Sequence, residues 1–226
     1  MSNRVVAFDA AATAAAPRAD LPRWDLSTVY PGLDSSAFAA GFAATLSRID
    51  DLVALFDEEG VGSERGSAAA DLDGFERVLA AFNALLDEVE TLESYLYAFV
   101  TTDSRDETAQ ARMGALQAKK VVLSKLHRRW DAWVGAADVE ALARRSESAA
   151  AHLYQLRRSR TSAVHQMPRD QEDLAAELGP AGGVAWEKLY DTVTSQIEVE
   201  VDLPATEDDP GGRQRLPMSE VRNLAW

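Results

Sequence analysis

The chain has 226 residues, 46% of them hydrophobic and 27% charged, and its formal net charge is −14. This composition is typical of a soluble globular protein. The negative charge argues against nucleic acid as a partner, and the lack of any stretch near ~20 consecutive apolar residues argues against a membrane span. Without cysteine there are no disulfides, thiolate metal sites or cysteine nucleophiles, and a cytoplasmic location is the simplest expectation.

The N-terminal part of the chain is expected to become ordered only after an Ala-rich lead. Residues 1–20 form this lead, which we expect to be disordered and which lacks the basic start and compact apolar core of a secretory signal. Residues 21–32 predict an extended segment with apolar anchors, closed by a Pro-Gly turn. Asp34 or Ser35 is then predicted to cap a first helix. The apolar face of this helix comprises Phe38, Phe42, Leu46, Ile49, Val53 and Phe56.

Residues 75–99 contain the most regular pattern of the chain. Eight apolar side chains follow one another at steps of three and four, which predicts one continuous stripe along a helix. Residues 104–107 read Ser-Arg-Asp-Glu, a capping box that predicts the start of a return helix at Ser104. We therefore predict that residues 73–101 and 105–134 form an antiparallel helical hairpin. The side chains predicted to be buried in it are Leu85, Val89, Leu92, Leu96, Leu116, Leu123 and Trp130.

Several shorter helices are predicted after the hairpin. Asp138 is expected to cap a short helix that ends at Arg145, and a longer helix is expected over residues 148–160 with Leu153 and Leu156 facing inward. An acidic first turn after Pro168 predicts a further helix, because negative charge is favourable at a helix N-terminus. This helix should close at Gly179. A last long helix should hold Val184, Trp186, Leu189, Tyr190 and Val193.

The hydrophobic period changes near the C-terminus. Residues 197–203 alternate strictly between apolar and acidic side chains, which predicts a half-buried strand, and residues 213–218 can return as a short second strand. Ser219 is predicted to cap a helix that starts at residue 220. The predicted fold class is therefore all-α, with long antiparallel helical hairpins in a bundle and a small β-hairpin near the C-terminus. The predicted domains are a disordered lead (1–20), a helical N-terminal domain (21–195), and a β-hairpin with the start of a helix that leads into a missing catalytic domain (196–226).

The charge is spread unevenly along the chain. Residues 119–169 hold eleven basic and four acidic side chains, a net charge of +7, which leaves −21 for the rest. One interpretation is that Lys and Arg gather in the last turns of helices, where they suit the helix dipole. The other is a basic strip that faces an anionic partner.

The search for a catalytic constellation yields no site residue. The three histidines, His127, His152 and His165, do not form a His-Glu-x-x-His pair, and we interpret them as surface or interhelical residues. The chain has no Gly-rich phosphate loop and no Gly-x-Ser-x-Gly elbow. The acidic pairs at residues 50–51 and 57–58 resemble a solvated helix face more than an acid and a base. We therefore assign no catalytic, cofactor-binding or metal-binding residue.

An aromatic cluster in the predicted hairpin allows two interpretations. Aromatic side chains at this spacing more often fill the core of a hairpin than line a ligand site, and we favour the core. The cluster comprises Tyr95, Tyr97, Phe99, Trp130 and Trp133.

Several stretches together resemble the oligoendopeptidase F group of zinc metallopeptidases, relatives of the thimet-type oligopeptidases. Residues 24–31, Trp-Asp-Leu-Ser-Thr-Val-Tyr-Pro, are similar to the start of that group, and residues 92–111 to its hairpin turn. Residues 152–158, followed by Pro168, Glu172, Gly182 and Ala-Trp-Glu-Lys-Leu-Tyr at 185–190, resemble the family in order and spacing. The alternating strand and residues 221–225 also fit.

The resemblance implies an intracellular enzyme that cleaves oligopeptides and whose N-terminal helices wall one side of a deep channel. It further implies that the zinc-binding His-Glu-x-x-His helix and a third glutamate ligand belong to a C-terminal part that this chain lacks. Because the helix predicted from residue 220 stops after one or two turns, we expect a truncated chain that is inactive alone. Its partners would be its own catalytic region and, in the whole enzyme, oligopeptide substrates, and it would itself hold no cofactor. The alternatives are a stand-alone helical binding or scaffold module and an unrelated enzyme with a dispersed site.

Overall fold

The computed structural model describes residues 24–62, 71–203, 205 and 212–224. The predicted disordered lead lies outside these residues. The two strands pair antiparallel, with Glu198 opposite Pro217 and Leu203 opposite Gly212. The all-α class with a small β-hairpin near the C-terminus is thereby confirmed. The elements are α1 (Ser36–Glu58), α2 (Leu72–Thr102), α3 (Glu107–Gly135), α4 (Val139–Arg145), α5 (Glu147–Ala151), α6 (Leu153–Val164), α7 (Arg169–Leu178), α8 (Gly183–Gln196), β1 (Glu198–Leu203), β2 (Gly212–Pro217) and α9 (Met218–Leu224).

Helices α2 and α3 form the predicted antiparallel hairpin. The N-terminal end of α2 lies against the C-terminal end of α3, where the rings of Phe75 and Trp130 stack with centroids 5.9 Å apart. Nearer the turn, Lys120 Nζ lies 2.6 Å from Glu93 Oε1. The seven side chains predicted to be buried are all 7% exposed or less. Burying each such large side chain contributes about 1.5–3 kcal/mol before the entropic cost, so the hairpin is the stable centre of the fold.

The apolar core has two clusters, one at each end of the hairpin. The larger one joins the C-terminal half of α1, the first half of α2 and the end of α3 to α4, α5 and α6. The smaller one lies near the turn and includes Phe38, Phe42 and Tyr95. Tyr30 docks here, with its ring 5.2 Å from that of Tyr95, and a Cβ atom at Gly41 would lie 2.7 Å from the Tyr30 hydroxyl. The glycine is therefore required for the N-terminal segment to pack on α1.

The start of α3 differs from the sequence-based prediction. Asp106, not Ser104, is the N-cap, and its Oδ1 accepts a hydrogen bond from the Ala109 backbone N–H at 2.9 Å. Ser104 lies in the turn instead, because Asp103 Oδ1 accepts a hydrogen bond from the Arg105 N–H and closes a local loop. Asx turns of this kind compete with helix formation, so α3 starts at Glu107.

The helix predicted over residues 148–160 is divided in two. Ser146 caps α5, and the chain breaks at His152 before α6 continues. The side chain of His152 lies at this break: its Nδ1 donates to the Ser148 carbonyl, 2.8 Å away, and its Nε2 lies 3.0 Å from Asn83 Nδ2 on α2. A contact to a residue 69 positions away in sequence therefore accompanies this helix boundary.

Residues 165–203, 205 and 212–224, here called the C-terminal region, lie outside the apolar core. No residue of this region for which the structure gives a burial is buried, and Leu156 is the last such residue that is. On α7, Glu177 Oε1 lies 2.6 Å from Lys125 Nζ of α3, and Glu172 Oε2 lies 3.3 Å from Arg128 Nε. The predicted alternation of the strand is confirmed, with the apolar side chains of β1 half-buried. Helix α9 follows β2 directly and starts one residue before the predicted cap.

Candidate functional site

The three histidines do not converge on a metal site. His127 Nε2 lies 3.9 Å from Asp131 Oδ1 on the same helix, and both ring nitrogens of His152 are occupied by the contacts described above. His165 ends α6. Over the described part of the chain, no group of three His, Cys, Asp or Glu side chains is placed to hold a metal ion. These residues therefore do not fit the zinc site of a metallopeptidase.

Asp131 is a buried carboxylate that the sequence pattern does not indicate. It is 2% exposed, and its Oδ1 has no hydrogen-bond partner among the described residues. The ring of His127, which also packs edge-on against Phe82 at 5.8 Å, is its closest cation candidate. Asp131 and His127 therefore form a local polar pair on successive turns of one helix. Two such side chains are too few to hold a metal ion, and neither is a nucleophile placed beside a base.

One carboxylate of each acidic pair, Asp50 and Asp57, serves the packing of α1 on α3. Asp50 Oδ1 accepts a hydrogen bond from Lys119 Nζ at 2.7 Å, and Asp57 Oδ1 accepts one from Arg129 Nη2 at the same distance. Arg129 Nε also donates to the Val61 carbonyl, 3.0 Å away. These carboxylates are therefore used as interhelical ion pairs.

The basic strip of residues 119–169 is largely neutralised within the fold. At least eight of its eleven cations lie within 4.0 Å of a carboxylate oxygen, mostly one on another helix. The dipole interpretation holds for Arg144 and Arg145, which lie in the last turn of α4, whereas α3 and α6 have no basic residue in their last turns. The paired cations are Lys119, Lys120, Lys125, Arg128, Arg129, Arg157, Arg160 and Arg169.

The aromatic cluster is divided between the two parts of the core. Tyr95 is buried near the hairpin turn, and burial raises the pKa of its phenol. Trp130 and Trp133 belong to the cluster at the other end of α2, where both contact Phe75. Tyr97 is exposed. Apart from the exposed Tyr97, the aromatic side chains therefore pack in or against the core, and they do not enclose a common ligand space.

Two shallow grooves lie along α2. The larger, about 510 Å³, separates α2 from the N-terminal segment, and the smaller, about 300 Å³, lies between α1 and α2. Both are open to solvent, and the Thr91 hydroxyl in the larger groove donates to the Asp87 backbone carbonyl and not to a carboxylate. Their linings are Leu26, Val29, Asp87, Glu90, Thr91, Ser94 and Tyr95 for the larger, and Arg48, Asp51, Leu52, Leu55, Ala81, Ala84, Leu85 and Glu88 for the smaller.

The most distinctive surface of the chain is an uncovered apolar stripe on α8. Its members recur at helical spacing and all stay exposed, from 39% for Ile197 to 71% for Trp186. This spacing is visible in the sequence, but the sequence does not show that the stripe is uncovered. We call this surface the α8 face, which comprises Trp186, Leu189, Tyr190, Val193 and Ile197.

Comparison with known proteins finds one family model that matches part of the chain. Residues 134–198, from the end of α3 to the start of β1, match the family model of M3 peptidase N-terminal regions described as Oligopeptidase F. No curated protein and no solved structure matches the chain. None of the described helices is long and apolar enough to cross a membrane. Residues 134–198 therefore carry the signature of the N-terminal region of an oligoendopeptidase F-type peptidase, which confirms the resemblance seen in the sequence.

Proposed function

We propose that this chain is the N-terminal channel-wall region of a cytoplasmic, zinc-dependent oligopeptidase and that it does not cleave peptides by itself. The observation that carries the proposal is the family match over residues 134–198. This match covers α4 to α8, the helices that follow the hairpin, of which α7 and α8 belong to the exposed C-terminal region. The absence of cysteine is compatible with the cytoplasmic location.

The α2–α3 hairpin has the dimensions and rigidity that a channel wall needs. Helices of 31 and 29 residues are about 45 Å long at 1.5 Å per residue. Their contact is close-packed at both ends, and the Lys120–Glu93 ion pair links them between the two clusters. A pair of long helices fixed in this way can border a cleft without moving into it.

In this proposal the catalytic zinc is supplied by another part of the enzyme. The 226 residues contain no His-Glu-x-x-His sequence, and the described residues offer no alternative ligand set. The zinc-binding helix and the third glutamate ligand would belong to a catalytic region outside this chain. That region would be the main partner of the chain, and oligopeptides would bind between the two.

The reading frame of the gene provides the first test. We expect the frame that encodes these 226 residues to contain a downstream His-Glu-x-x-His codon sequence. A frame without this motif would contradict the proposal and favour a stand-alone helical binding or scaffold module.

A peptidase assay provides the second test. The purified chain is incubated with zinc and a set of internally quenched oligopeptides, and the product of the complete frame serves as the positive control. We expect cleavage by the complete product only. The opposite result would be cleavage by the 226-residue chain. If this activity persisted after repurification and a chelator abolished it, it would show a dispersed metal site and refute the proposal.

A zinc titration separates these outcomes further. Because the described residues hold no ligand cluster, we expect calorimetry to show only weak, non-stoichiometric binding, as on a generic acidic surface. Stoichiometric binding with a sub-micromolar dissociation constant would contradict this expectation.

A further inference from the structure

The α8 face is directed away from the bundle. Ser195 marks the side of α8 that meets the bundle, because its Oγ lies 3.3 Å from Ser104 Oγ at the hairpin turn. Trp186 precedes Ser195 by about two and a half helical turns and therefore lies on the opposite side of α8. At the edge of the face, Arg222 Nη2 of α9 lies 3.4 Å from the Tyr190 hydroxyl. The β-hairpin and α9 thus border the α8 face and leave it exposed.

The size of the α8 face indicates an interaction surface. The exposed parts of its five side chains amount to roughly 500 Å² of apolar area, which is in the range of the largest patch on an ordinary monomer. Leu174 and Leu178 on α7 are also more than half exposed and add to the apolar area of the C-terminal region. Scattered single apolar residues need no partner, but a stripe on one side of one helix does.

The charge disfavours a second copy as the partner. Two copies would repel each other, because each has a net charge of −14. A region of the same polypeptide can use a smaller interface, since interfaces between domains of one chain start near ~600 Å² in total, against about 1,600 Å² for a typical complex between separate proteins. The covalent link also supplies a high local concentration.

We propose that the α8 face is the interface on which the catalytic region of the same polypeptide packs. This inference rests on the proposed function, and it adds the specific surface by which the two parts of the enzyme are joined. The packed partner presents an apolar face to Trp186, Leu189 and Val193. It carries Lys or Arg beside Glu187 and Asp191, two exposed acids on one flank of α8 that have no ion pair among the described residues.

Radical footprinting compares the 226-residue chain with the product of the complete reading frame. We expect oxidation of Trp186 and Tyr190 to fall at least about fivefold in the complete product, because packed aromatic rings are shielded from solvent. Tyr154 on α6 is equally exposed in this chain and is the matched control, which should change less than about twofold. Trp130, which is buried, should stay unreactive in both.

A variant tests the interface independently. Leu189→Glu places a charge in the centre of the α8 face, and Tyr154→Glu places one on α6 as the control. In the complete product we expect Leu189→Glu to restore the oxidation of Trp186 to within about twofold of the isolated chain, and Tyr154→Glu to leave it protected. In the 226-residue chain neither variant should change the helix content, since both side chains are exposed.

Three results would overturn the inference. The first is a complete, active product in which Trp186 is as reactive as in the 226-residue chain, and this result leaves the proposed function intact. The second is retained protection in Leu189→Glu. The third is protection of Trp186 from oxidation in the 226-residue chain alone. If this protection increased with protein concentration and disappeared in Leu189→Glu, the partner would be a second copy. A reading frame without the zinc motif would instead refute the proposed function itself.

Discussion

The helical bundle, formed by residues 24–62 and 71–164, and the C-terminal region differ in how they are held together. Both contain amphipathic helices, and the patterns of α2 and α8 follow the same period. Leu92 of α2 is 1% exposed, whereas Leu189 of α8 is 51% exposed. Periodicity therefore decides which side of a helix is apolar, but another element must be present to cover that side.

The two regions also differ in the interactions that fix their helices. In the bundle, side chains of residues such as Ser35, Asp106 and Asp138 cap every helix except α6, and two apolar clusters fill the space between the helices. Helices α7 and α8 have no side-chain cap, and α7 meets α3 through ion pairs. Exposed ion pairs contribute about 0.2–1 kcal/mol each, less than a buried large side chain at about 1.5–3 kcal/mol. The C-terminal region should therefore open without unfolding the bundle.

Hydrogen exchange should show the largest difference between the two regions. We expect amides of residues 165–203 and 212–224 to exchange at least about a thousandfold faster than those of residues 75–130, a difference of about 4 kcal/mol in opening free energy. Mass spectrometry of peptic fragments measures both regions in one sample. Equal protection would show that the chain is one cooperative unit, and the comparison would fail.

A pair of leucine substitutions tests the same contrast. Leu92→Ala should lower the free energy of unfolding by about 2–5 kcal/mol, because it leaves a cavity in the smaller cluster. Leu189→Ala should change it by less than about 0.5 kcal/mol, because the side chain is half exposed and has few contacts to lose. Urea unfolding followed by circular dichroism measures both. A loss above about 2 kcal/mol for Leu189→Ala would show that α8 has a packing partner within this chain.

Added salt should increase amide hydrogen exchange in α7 and leave exchange in α2 unchanged. Raising the ionic strength from about 0.05 M to 1 M shortens the Debye length to about 3 Å and screens exposed pairs such as Lys125–Glu177. We expect exchange in α7 to rise about two- to fivefold, consistent with the small contribution of such pairs. In Lys125→Gln the salt effect should shrink. An equal salt effect in α2 would show that salt acts on the whole molecule and not on these pairs.

The smallest predicted effect concerns the cap of α4 and its dependence on pH. Asp138 Oδ1 accepts a hydrogen bond from the Ala141 N–H at 3.0 Å, and this bond lowers the pKa of the carboxyl below its usual value near 3.8. A lowered pKa in the folded state means that the stabilisation is complete above the usual value and is lost as the pH falls through the folded value. Asp138→Asn keeps a capping oxygen but does not titrate.

Urea unfolding of both forms between about pH 2.5 and 6 checks this sign. The stability of the original chain relative to Asp138→Asn should be constant at the upper end and should decrease towards the acid end. A relative stability that rises on acidification would contradict the assigned pKa direction.

Much of the bundle could be predicted from the sequence, because its local and tertiary signals agree. The stripe of residues 75–99 predicts both the helix and its buried side. The position before apolar runs predicts the caps at Asp138 and at Asp34 or Ser35, of which the structure has Asp138 and Ser35. The prediction was wrong where a local alternative or a distant contact competed. Asp103 moved the start of α3 to Glu107, and the contact of His152 with Asn83 accompanies the break between α5 and α6.

For this protein, the sequence by itself determines the helices, the sides that are apolar, the strand and the resemblance to a peptidase family. These properties depend on residue spacing and on short motifs, which are local. Only the tertiary structure decided that the cations of residues 119–169 are largely paired within the fold and that the α8 face is uncovered. Both depend on which elements lie next to each other, and side chains brought together from distant positions leave no periodic trace in the sequence.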